Sequence, residues 1–88
     1  MTTHVSYDLF FSRRNGHAFL AVSTVVLNSK LKVVHSHNAT LTGEYDWERR
    51  EMLNEFRRFR AEKADSSEEC YKEHDDFKCI TIRKTWEG

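Results

Sequence analysis

The stretch Val5–Val26, VSYDLFFSRRNGHAFLAVSTVV, decides the fold. Its first half sets Val5, Tyr7, Leu9 and Phe11 on one side of an extended chain and Ser6, Asp8, Phe10 and Ser12 on the other, the two-residue period of a half-buried strand. Asn15-Gly16 follows. Asn-Gly between alternating apolar runs marks a hairpin, because both residues tolerate the positive φ of a type I′ turn. A two-residue turn predicts Phe11 opposite Leu20, Leu9 opposite Val22, Tyr7 opposite Thr24 and Val5 opposite Val26. All four pairs fall on one face, so turn chemistry and hydrophobic pattern agree.

Downstream, Asn28-Ser29-Lys30 reads as a second turn. Leu31, Val33, His35 and His37 then continue the apolar face, while Lys32, Val34, Ser36 and Asn38 point away. The result is a three-stranded antiparallel meander. After Asn38–Gly43 the period changes from 2 to 3.6. With Thr42 or Asp46 as N-cap, a helix is predicted to run to about Lys63, acidic in its first turn as the helix dipole favours. Tyr45, Met52, Phe56 and Phe59 form its apolar stripe, with Leu53 beside it, and that stripe covers the meander.

In Ala64–Phe77, Ser66-Ser67-Glu68-Glu69 reads as the capping box of a short second helix through about His74; the acidic content suits an exposed loop equally well. Cys79–Trp86 alternates as a last strand, with Ile80, Ile82 and Trp86 on one side and Thr81, Arg83 and Thr85 on the other. The expectation is one α+β domain over residues 1–88, ordered β-β-β-α-(α)-β, with the C-terminal strand completing the sheet beside the first strand.

Composition bounds the function. Eighty-eight residues hold one core, and a 39% hydrophobic content is too apolar for a disordered tail. No apolar run approaches the roughly 18–20 residues of a membrane span, and no signal-peptide core opens the chain. Cys70 and Cys79 are too few for a disulfide framework and lack Cys-x-x-Cys spacing. A cytoplasmic protein without membrane contact or cofactor is expected. Its net charge of zero is a cancellation: residues 1–63 hold ten bases and seven acids, residues 64–78 two bases and six acids.

The helix separates its charges by side. At about 100° per residue, Glu48, Glu51, Glu55 and Glu62 fall on one flank and Arg49, Arg50, Arg57 and Arg60 on the other, with Arg58 the stray. Like charges one turn apart cost a few tenths of a kcal/mol each, so the segregation asks for an explanation. An arginine ladder suits phosphates, which guanidinium forks match. Separated flanks also suit a protein partner or a second copy of the helix. Against both stands a purely structural role, the arginines pairing with Asp8, Asp75 or Asp76.

Phe10 and Phe19 are predicted to be diagonal neighbours on the face away from the helix, with His4 across from Leu27. Aromatic side chains there stack bases or form a partner interface unless Ala64–Phe77 covers them. His35 and His37 on one strand face stand about 7 Å apart and are weak metal candidates, with Glu44 or Asp46 as conceivable third ligands. Three antiparallel strands, a helix and a further strand are similar to the start of ribonuclease H-like domains, and Asp8 and Glu48 lie where that family's first two metal-binding carboxylates lie. The last strand carries Arg83 and Lys84 where the family has a third carboxylate, which leaves two-metal hydrolysis without a complete site.

The leading expectation is therefore a non-catalytic intracellular protein that engages RNA or DNA through Arg49, Arg50, Arg57 and Arg60. Arg13 and Arg14 at the hairpin tip and Phe10 and Phe19 on the sheet assist. The alternative is a protein that docks on another protein as inhibitor or adaptor, an accessory protein of viral or mobile-element type, or a self-associating subunit. A metal-dependent nuclease of ribonuclease H-like topology is the remote third.

Overall fold

The computed structural model describes residues 1–88. Strand β1 (Thr2–Ser12) pairs antiparallel with β2 (Ala18–Leu27), setting Phe11 opposite Ala18, Leu9 opposite Leu20, Tyr7 opposite Val22 and Val5 opposite Thr24. This register lies two residues from the one a two-residue turn predicts. The connection is longer: the Ser12 N–H donates to the His17 carbonyl at 2.8 Å, so Arg13–Gly16 form the loop. Asn15 Oδ1 accepts the His17 N–H at 3.0 Å, and Gly16 takes the positive φ of 68°. Because the side-chain period is two, a shift of two leaves every residue on its predicted face.

Strand β3 (Val33–Gly43) pairs with the outer side of β2. Its hairpin is closed by Asn28, whose N–H donates to the Lys32 carbonyl at 3.0 Å across three loop residues. An odd loop alone would invert the faces of β3. An irregularity in the pairing between Val26 and Leu27 restores them, so His35 opposes Val26 and His37 opposes Thr24. Leu31 pays in backbone strain, with φ at 61° and its side chain 77% exposed. Leu31→Gly is therefore expected to raise stability by about 0.5–1 kcal/mol, the relief of a left-handed L-residue less the entropy of glycine. Urea unfolding checks it, and a lower midpoint would contradict it.

β3 runs to Gly43, five residues past Asn38, the last residue that the alternation assigns to a strand face, and so up to the expected change of period. Asn38–Thr42 stays extended because each residue pairs along β2, from Ser23 to Phe19. Gly43 is the buried end of the strand. A Cβ added there would lie 2.7 Å from Met52 Sδ and 2.8 Å from Arg49 Cγ. Gly43→Ala is expected to cost about 1–3 kcal/mol by pushing the first turns of the following helix off the sheet. A thermal midpoint unchanged from the parent would contradict this.

Helix α1 (Asp46–Ala61) is capped at Tyr45, whose N–H donates to Glu48 Oε1 at 3.1 Å. Neither Thr42 nor Asp46 is the cap, the helix stops short of Lys63, and Tyr45 is 63% exposed and no part of the stripe. Met52, Phe56 and Phe59 are buried against Leu9, Ala18, Leu20 and Ile82. Phe59 stacks on Tyr7 with ring centroids 3.9 Å apart.

After α1 the structure overturns both readings of Ala64–Phe77. Strand β4 (Ser66–Glu73) stands where a short helix or acidic loop was expected. It pairs along its whole length with β5 (Phe77–Glu87), matching Glu68 to Arg83 and Glu73 to Lys78. Tertiary pairing and opposite charges across the strands outweigh the local capping pattern. Strand β5 lies between β4 and β1, which completes a five-stranded antiparallel sheet ordered β3-β2-β1-β5-β4. The helix crosses one face of it, from the β3 edge toward the β4 edge. There Lys84, 3% exposed, donates from Nζ to the Arg60 carbonyl at 2.9 Å and to the Glu62 carbonyl. No helix is long and apolar enough to cross a membrane.

Candidate docking edge

The two edges of the sheet differ in chemistry. β4 carries Glu68, Glu69, Lys72 and Glu73 among its eight residues. Charges of that density blunt an edge against further strands. β3 spans eleven residues, VVHSHNATLTG, with no Asp, Glu, Lys or Arg, and every one except Gly43 is exposed. Its only ladder is to β2, so the N–H and C=O groups of alternate residues on its outer side are unpaired. Val33, Val34 and Leu41 are 61%, 50% and 43% exposed.

The helix forms a wall above this edge. Thr40, Leu41 and Thr42 share a cleft of about 280 Å³ with Trp47, Glu48 and Glu51. Leu41 shares another, of about 420 Å³, with Glu51, Asn54, Glu55 and Arg58. The flank of α1 turned toward β3 is thus the acidic one, with Trp47 57% exposed at its start. Arg58 is bound to Glu55 at 2.8 Å, Glu48 accepts the Tyr45 N–H, and Glu51 has no hydrogen-bonded or ionic partner. The same field reaches the core face: burial pushes the Tyr7 hydroxyl above its ordinary pKa, and Glu55 and Glu62 add to the push.

The arginine flank is largely engaged with the chain's own carboxylates and carbonyls. Arg49 pairs with Asp46 and donates to the Glu44 carbonyl at 2.9 Å. Arg60 pairs with Glu69 at 2.6 Å and lies over the Phe56 ring. At the hairpin tip Arg13 pairs with Glu73, and Arg14 pairs with Asp76 at 3.2 Å. Of the six arginines singled out in the sequence, Arg50 and Arg57 alone have no ion-pair partner. Both are exposed.

Phe10 and Phe19 stand directly opposite each other on the face away from the helix rather than diagonally, and their rings stack at 4.5 Å. They border a shallow depression of about 280 Å³ with Phe77. His4 opposes Val25, not Leu27. The charges of this face are mixed: Asp8, Glu68 and Glu87 on one side of the balance, Lys72 and Arg83 on the other. Asp8 accepts the Thr81 hydroxyl, and the strand pairing sets it on the face opposite α1 and Glu48. The sheet therefore separates the two carboxylates of the ribonuclease H-like comparison. His35 and His37 share the helix side of β3, and no three His, Cys, Asp or Glu side chains converge as a metal ion would need. Cys70 is exposed and Cys79 buried, both as free thiols.

Charge-free Val33–Gly43 was a visible signal for the β3 edge, but it carries weight only once the strand is known to be outermost. Trp47 gave no signal beyond being a tryptophan off the apolar stripe. Compared with protein-family models, with curated proteins and with solved structures, the chain matches none.

Proposed function

We propose that this chain is a non-catalytic protein-binding module, acting as an adaptor or inhibitor, that takes up an extended segment of another protein as a sixth strand along β3. The observation that carries the reading is the contrast between the edges: β4 is crowded with charge, whereas β3 is long, exposed and free of Asp, Glu, Lys and Arg. Strand addition draws affinity from main-chain hydrogen bonds and specificity from the side chains beside the new strand. An edge left without charge, proline or cover is the kind that accepts one. The ion pairs of Arg13, Arg14, Arg49 and Arg60 weigh against a polyanion partner, since of the six arginines only Arg50 and Arg57 could meet phosphates without first breaking an internal pair.

Photo-crosslinking in cells that make the chain tests this. A photoreactive residue at Ser36 or Thr40 on β3 is expected to give discrete protein adducts that survive nuclease, whereas one at Lys72 on β4 gives none. A nuclease-sensitive adduct formed from position 57 and not from β3 would replace this reading with the nucleic-acid one.

A further inference from the structure

We infer that the segment received by β3 is basic, with Lys or Arg at alternate positions turned toward α1 and small or β-branched residues between them. This deepens the strand-addition reading and rests on it. A strand added beside β3 would lie about 4.8 Å outside it, its side chains alternating between the two faces. Those on the open side would neighbour Ser36, Asn38, Thr40 and Thr42, all uncharged. Those on the helix side would stand beside His37, Ala39 and Leu41, and the ones next to Leu41 would rise into the clefts walled by α1.

That wall sets the charge. It presents Glu48, Glu51 and Glu55 against the single cation Arg58, and Arg58 is already held by Glu55. An acidic side chain of the added strand would meet like charge there, while a Lys or Arg would find Glu51 unpaired. Trp47, more than half exposed at the same place, offers a ring face to a cation. The same geometry disfavours a second copy of this chain. Two β3 strands paired about a twofold axis would turn two acidic flanks toward each other across the joint sheet. The helix thereby gains a reason to separate its charges: Arg49 and Arg60 tie it to the Gly43–Asp46 turn and to Glu69 of the sheet, and the acids are left facing the vacant edge.

Two capped ten-residue peptides of equal length, one alternating Lys with Val or Thr and one alternating Glu with Val or Thr, distinguish the outcomes when titrated into the isotope-labelled full chain. The Lys peptide is expected to shift amide resonances of Val34–Thr42 and to bind at least tenfold more tightly than the Glu peptide at low salt. Added salt should narrow the difference. Glu51→Lys with Glu55→Lys, both exposed enough to spare the core, should reverse the preference. Equal shifts along β3 from both peptides would overturn the basic partner while leaving strand addition intact. Shifts from neither peptide would overturn both. A dimer in light scattering that Thr40→Lys converts to a monomer would assign the edge to a second copy and overturn the inference.

Discussion

Phe59→Ala is expected to cost about 3–5 kcal/mol, enough to unfold much of the population at physiological temperature. The side chain is 4% exposed and stands where three elements meet. Its ring stacks on Tyr7 of β1 at 3.9 Å, lies 6.3 Å from the Trp86 ring of β5, and has Lys84 Nζ 5.4 Å from its centroid. Truncation removes the transfer energy of a buried aromatic and leaves a cavity that a stiff antiparallel sheet closes poorly. For a chain of this size each kcal/mol moves the thermal midpoint by about 4–8 °C, so the drop should exceed about 12 °C. Phe59→Leu keeps most of the volume and should cost less than about 1.5 kcal/mol. A cost below about 1 kcal/mol for the alanine variant would mean that Met52 and Phe56 alone hold the helix to the sheet.

That core was readable from spacing. Val5, Tyr7, Leu9 and Phe11 recur at two, and Met52, Phe56 and Phe59 at helical intervals; both patterns are local and strong. The faces survived two wrong turn assignments because the first error was by two residues and in the second a pairing irregularity offset the odd loop. The failures lie where long-range pairing overrides local preference. Ser66-Ser67-Glu68-Glu69 is a sound helix start by itself, yet β5 offers its residues a full ladder and Arg83 across from Glu68. Asn38–Thr42 looks like loop by composition and is strand because β2 continues beside it.

The candidate site was half legible for a related reason. Segregation of charge on residues 46–63 is visible as soon as they are placed on a helix. Which flank is satisfied within the fold depends on what lies across from it. Arg60 meets Glu69 only because β4 is a strand at the far edge, and Arg13 meets Glu73 for the same reason. The misread segment therefore also hid the partners of Arg13 and Arg60. With 66–73 as an exposed loop all the arginines look free for a phosphate; with 66–73 as β4, Arg13 and Arg60 are paired, while Arg50 and Arg57 stay unpaired on their flank and Glu51 on the acidic one.

Lys84→Met should cost about 2–3 kcal/mol, and its reason connects stability to the docking edge. Replacing a buried ion pair with apolar groups is often neutral, because both charges leave together. Here the partners are main-chain carbonyls of Arg60 and Glu62, which a methionine cannot remove. They belong to the helix end, where the last carbonyls lack intrahelical donors and the dipole favours a cation. Methionine matches the packing and abolishes the donors, so the loss reports the unsatisfied carbonyls and the dipole contribution. Amide exchange should quicken at Phe59–Glu62 more than in the first turns, which Gly43 and Arg49 hold independently. A loosened C-terminal end would carry Glu55 and Arg58 away from Leu41 and widen the second cleft above β3, while the Trp47 cleft stays in place. A variant within about 0.5 kcal/mol of the parent, with unchanged exchange at Phe59–Glu62, would assign the anchoring of that end to Phe59 and Trp86 alone.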